Sequence, residues 1–119
     1  MKDYWQDGIE LFRQGRYFET HEEWEIAWRD APKADRDFYQ GMVHLTVALY
    51  QAGRGNHVAA RSQMHKARRR LAAYGMRYHD VALSALVPAV DEAVEQAIAS
   101  AGESLEGKCF VRPPYFLQS

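Results

Sequence analysis

Glycine and proline fall at wide intervals in this chain, and the apolar residues between them recur every three to four positions. Gly15, Pro32, Gly53 with Gly55, Gly75, Pro88, Gly102, Gly107 and Pro113 with Pro114 bound segments mostly too long for strands. No alternating apolar run of strand length lies between them. The expected fold is therefore all-α, a compact bundle of about five helices forming one helical domain over residues 1–119. A chain of 119 residues can remove roughly two thirds of its surface from water, so it needs neither disulfide nor metal to be stable.

Tyr4, Trp5, Ile9 and Phe12 lie near one face of a first helix that Gly15 can end. Tyr17, His21, Trp24 and Trp28 follow at i, i+4, i+7 and i+11, with Glu19, Glu22, Glu23 and Glu25 around the rest of a second helix that Pro32 closes. A third runs from about Ala34 to Ala52 with Phe38, Gly41, Met42, Leu45, Ala48 and Leu49 on its apolar side. A fourth starts after Asn56, a good N-cap, and continues through Ala60, Met64, Ala67 and Leu71 to Gly75. Asp80 opens a short apolar piece, and Pro88 is expected in the first turn of a last helix carrying Val90, Val94, Ala97 and Ile98. The tail from Lys108 to Ser119 is Pro-rich but holds Phe110, Val111, Tyr115, Phe116 and Leu117, which predicts that it packs on the bundle. Gly15 and Gly55 each precede an apolar residue by three positions (Phe18, Val58) and an Ala by twelve (Ala27, Ala67), an echo that reads as two similar helix starts.

Fifteen Lys and Arg against sixteen Asp and Glu leave a formal charge of −1, so no bulk field recruits nucleic acid or anionic lipid. The N-terminal Met-Lys-Asp-Tyr-Trp has no apolar signal core and no run is long enough to span a bilayer, which excludes a membrane partner. The single Cys109 cannot form an internal disulfide and lacks an activating neighbour, which suits an inert thiol in the reducing cytoplasm.

Phe12, Gly15, Tyr17, Glu19, the run His21-Glu22-Glu23-Trp24-Glu25 with Trp28, then Phe38-Tyr39-Gln40-Gly41 and Arg54-Gly55-Asn56 with Ala60 resemble a bacterial and archaeal family, domain of unknown function 309. The resemblance covers roughly residues 9 to 75. It implies a compact helical bundle and, from the label the family has been given, a metal-dependent hydrolase.

The residues themselves supply a candidate pocket. If the second and third helices lie antiparallel, His21 with His44, Trp24 with Gly41 and Glu25 with Gln40 fall level, each pair summing to 65. His21 and Glu25 share a face at i, i+4, as do Gln40 and His44. His21, Glu25 and His44 could then ligate a divalent metal (zinc, manganese or iron), with Glu22 as general base toward a bound water and Tyr17, Trp24, Trp28 and Gln40 around them. His21-Glu22-x-x-Glu25 is similar to the helical zinc-protease motif with glutamate in place of its second histidine. The alternative is a buried polar network in which the same groups satisfy one another.

Residues 61–80 carry six Arg and Lys against Asp80, with Arg61, His65, Arg68 and Arg69 on one side of the fourth helix. Stacking aromatics for nucleic acid are limited there to Tyr74 and Tyr78, so a solvated, partly paired face is the plainer reading. His57 and His79 fall near helix ends, where capping is the simple expectation. Two functions are left: a hydrolase using the His21 pocket on an unknown small molecule, or a non-catalytic binding or scaffold module for a small molecule or protein, using its helical surface.

Overall fold

A computed structural model describes residues 2–100 and Phe116. The protein is all-α, with α1 (Tyr4–Arg13), α2 (Tyr17–Arg29), α3 (Arg36–Gly53), α4 (His57–Leu71) and α5 (Leu83–Ala99). Short 3-10 turns at Lys33–Asp35 and Ala72–Tyr74 lead into α3 and out of α4. The central helix is α3, which packs against α2, α4 and α5, while α1 packs on α2. Its apolar periodicity explains this: Phe38, Met42, Leu45, Ala48, Leu49 and Ala52 are all fully buried.

The echo between Gly15 and Gly55 is structural. Both glycines take φ near +80°, at 76° and 80°, a left-handed conformation that costs a residue without a Cβ little. Each closes its helix with the same pair of hydrogen bonds, Arg16 N–H to Leu11 O and Gly15 N–H to Phe12 O at the end of α1, Asn56 N–H to Gln51 O and Gly55 N–H to Ala52 O at the end of α3. A new helix begins at once after each corner. Asn56 caps α4 as expected, its side chain accepting from Ala59 N–H at 3.3 Å.

Two expectations change. Pro88 lies inside α5, five residues beyond its start at Leu83, and not in its first turn. Leu83, Leu86 and Val90 keep one buried stripe across the proline, so the burial outweighs the one helical hydrogen bond that proline removes. Trp24 does not pack over Gly41. Its indole lies on α1, where a Cβ added to Gly8 would sit 2.1 Å from Trp24 Nε1, and that nitrogen donates to Trp5 O at 3.1 Å. Gly41 instead lets α3 approach α4, since a Cβ there would sit 2.7 Å from Leu71 Cγ.

The expectation that the tail packs on the bundle bears on residues 108–119, most of which lie outside the described residues. Phe116 is described: it is 4% exposed and its ring meets Trp5, Phe12 and Trp24. A backbone bridge joins it to Val81.

Candidate functional site

Gly41 brings α3 close to α4. Gly41, Leu45, Ala48 and Ala52 form one buried stripe of α3, and Ala60, Met64, Ala67 and Leu71 one of α4. Long polar side chains flank these stripes on one side and enclose an open cleft of about 440 Å³, within the range of small-molecule sites. Asp37, Gln40 and His44 of α3 face Lys66, Arg69 and Arg70 of α4 across it.

His44 is half-buried, with Nδ1 2.6 Å from Gln63 Oε1. An amide oxygen only accepts, so the ring proton sits on Nδ1 and Nε2 is left as an acceptor. Among the described residues no buried side-chain nitrogen or oxygen lacks a partner, so Nε2 is open to solvent. Burial holds the His44 pKa below its ordinary value; the bond to Gln63 opposes this, and the charges of Arg70 and Lys66 add to the depression.

The basic residues of α4 divide into two sets. Arg61 pairs with Glu95 of α5 at 2.9 Å and Arg68 with Asp91 at 2.9 Å, while Arg70 pairs with Asp37 at 2.6 Å across the cleft. Lys66 and Arg69 have no carboxylate partner among the described residues. The stripe expected on one face of this helix is therefore a partly neutralised surface with its free charge gathered in the cleft.

The four polar groups expected in one pocket are divided. His21 keeps to its own helix: Nδ1 lies 3.0 Å from Phe18 O and Nε2 3.1 Å from Glu25 Oε1. Across from it on α3 are Val47, Tyr50 and Gln51, which share with Phe18 and His21 a hollow of about 150 Å³. His21 thus lies beside Val47 and not level with His44, three positions away and nearly a helical turn. Glu22 points to solvent. Tyr17 and Trp24 are fully buried among aromatic residues at the α1–α2 interface, Tyr17 edge-on to Phe12 and Trp24 stacked on Trp5 at 4.9 Å. Trp28 is a partly exposed platform under the Arg36 guanidinium, 5.1 Å from its ring centre. Gln40 lines the His44 cleft.

Residues 5–63 match the family model described as Domain of unknown function (DUF309). The match supports membership of that family. No curated protein and no solved structure matches the chain. The DUF309 match spans α1 to α3 and the first turns of α4, so it includes Gln40, His44 and Gln63 and stops before Lys66, Arg69 and Arg70. One wall of the cleft belongs to the matched region and most of the cationic wall lies just beyond it.

His21, Glu25 and His44, the ligand set expected for a divalent metal, are not all brought together among the described residues. His21 bonds to Glu25 and His44 to Gln63, and among the described residues no three His, Cys, Asp or Glu gather as a ligand set. Two histidines and a carboxylate on two helices need the right register as well as the right spacing.

Sequence reasoning also missed a cluster at the end of α4. Asp35 accepts from Tyr78 Oη at 2.5 Å and pairs with His79 Nε2 at 3.1 Å, and Tyr74 Oη donates to Ala34 O at 2.8 Å. The bond from Tyr78 holds the Asp35 carboxyl below its ordinary pKa against some desolvation, with His79 assisting. The same bond pushes Tyr78 up to about 12. His79 is not a helix cap: with φ 47° it and Asp80, φ 58°, occupy the centre of a tight turn closed by the Tyr78–Val81 bridge. The adjacent tyrosines were a signal; their partner forty residues earlier was not.

Proposed function

We propose that this helical protein is a binding module for a small organic anion, held in the cleft between α3 and α4. The observation that supports the reading is the pair Lys66 and Arg69, which line a cleft of about 440 Å³ and have no carboxylate partner among the described residues. Their neighbours suit recognition: Gln40 offers an amide and Arg70 a guanidinium already oriented by Asp37. Equilibrium titration of the protein with small phosphates and carboxylates tests it. Binding should weaken at least about tenfold in the Lys66→Ala/Arg69→Ala variant and fade with added salt, as a charge-driven site does. A parent protein that binds none of these anions at millimolar concentration would refute the reading.

A metal-dependent hydrolase is the competing reading, and its support is the His21–Glu25 contact at 3.1 Å. Metal analysis of protein purified without a histidine tag separates the two. Stoichiometric zinc, manganese or iron, lost together in His21→Ala and Glu25→Ala, favours the hydrolase.

A further inference from the structure

Resting on the anion-binding reading above, we propose that the cleft takes the dianionic end group of a small phosphomonoester and that His44 gains a proton as the anion enters. Charge selects the ligand class. Lys66, Arg69 and Arg70 against Asp37 leave an excess of two positive charges in the cleft, which a single carboxylate cannot balance and a phosphate dianion can. Three separate donors also suit the oxygens of a tetrahedral group better than the two of a planar one.

The proton follows from the surroundings of the imidazole. Gln63, Lys66, Arg69 and Arg70 of α4 and Asp37 and Gln40 of its own helix are the groups about it. Of the other helices packed on α3, α2 keeps His21 and Glu25 bonded to each other, and the acids Asp91 and Glu95 of α5 are held by Arg68 and Arg61. Before the anion arrives, burial and the Arg70 and Lys66 charges favour the neutral ring. A dianion among those charges reverses their effect, and Nε2, the acceptor open to solvent, takes a proton and donates it back as a hydrogen bond to the anion. Nδ1–H stays on Gln63 throughout. His44 is thus a specificity-determining donor that exists only when the site is filled. The sign follows: a histidine whose pKa rises on binding makes affinity increase as pH falls, by up to about tenfold per unit between the free and the bound pKa, and level off below.

The experiment is calorimetry of the full chain with methyl phosphate, sulfate and acetate, each in buffers of different ionisation heat. Sulfate does not titrate in this range, so protons taken up on its binding pass from the buffer to groups of the protein. The expected result is that methyl phosphate and sulfate bind at least about tenfold more tightly than acetate, with uptake approaching one proton for sulfate. In His44→Asn, sulfate still binds, the uptake disappears and the pH dependence flattens. The ring NMR titration of His44 in the unaltered protein needs no variant, and its midpoint should move upward on saturation with sulfate. A stationary midpoint, or proton uptake that survives in His44→Asn, overturns the role of His44 while leaving anion binding in place. Acetate binding as tightly as the dianions overturns the phosphomonoester class. Retention on phosphatidic acid vesicles without binding of methyl phosphate overturns the small-molecule assignment, and no binding of any probe removes the anion-binding reading itself.

Discussion

The α1–α2 and α3–α4 hairpins turn through the same glycine corner and then enclose opposite interiors. Between α1 and α2 the space is filled by Phe12, Tyr17 and Trp24, with Trp5 and Phe116 against them, and the one polar atom of Trp24 is spent on a backbone carbonyl. On α3 and α4 small buried residues recur, Gly41, Ala48 and Ala52 on one and Ala60 and Ala67 on the other, Gly41 lying against Leu71, and at the margin between the two helices is a polar cleft. The corner fixes the path of the chain; the size of the side chains behind it decides whether a ligand has room. Large rings fill the first interface, whereas small residues bring the backbones together and leave the long cationic side chains to stand around the seam.

The largest effect should come from emptying the aromatic interface. Trp24→Ala removes a fully buried ring stacked on both Trp5 and Phe12 and should cost about 3–5 kcal/mol in chemical denaturation. The cleft should still bind anions at temperatures where the variant is folded; loss of both together would show that the two interiors are not independent. Next come the two glycines. Gly8→Ala drives a methyl into the rigid indole of Trp24 and should cost about 1–3 kcal/mol, more than Gly41→Ala, whose methyl would sit 2.7 Å from Leu71 Cγ against 2.1 Å from Trp24 Nε1 at Gly8. Equal melting temperatures for these two variants would break the contrast between the two interfaces.

Smaller effects belong to the polar margins. The lowered pKa of the Asp35 carboxyl means that its contribution to stability is present above the ordinary carboxylate range and is lost as pH falls through its folded value. Asp35→Asn should therefore lower the melting temperature at neutral pH, less than Gly8→Ala does, and flatten the acid side of the stability profile; an acid limb identical to the parent's would show that Asp35 carries none of it. The smallest expected change is at Arg61. Its pair with Glu95 is solvent-exposed, so Arg61→Ala should leave the melting temperature unchanged and leave anion binding intact. A clear loss of anion affinity would mean that the cationic surface extends beyond the cleft.

The helices were legible in the sequence because burial imposes a period, and glycine, proline and Asn56 mark where that period stops. Partner helices were less legible. An apolar stripe says that a face is covered, and not by which neighbour: Trp24 and Gly41 complement each other in size, yet Gly8, four residues past the start of α1, is the glycine that receives the indole. The arrangement of the candidate pocket was hard to read for the same reason. His21 and Glu25 meet because a single helix fixes their spacing, whereas joining them to Gln40 and His44 required a register between helices that the residues 30–35, with their 3-10 turn, set differently. Lys66, Arg69 and Arg70 were visible as charge; that His44 would be their neighbour depended on Gly41 drawing α4 against α3.

Phe116 gives the aromatic interface a timetable. Its ring closes over Trp5, Phe12 and Trp24, which lie 92 to 111 residues earlier in the chain. At the rates at which ribosomes work, Trp24 waits roughly 5–20 s for that phenylalanine to be made. During this interval the rings of the first hairpin lack the cover that Phe116 later supplies.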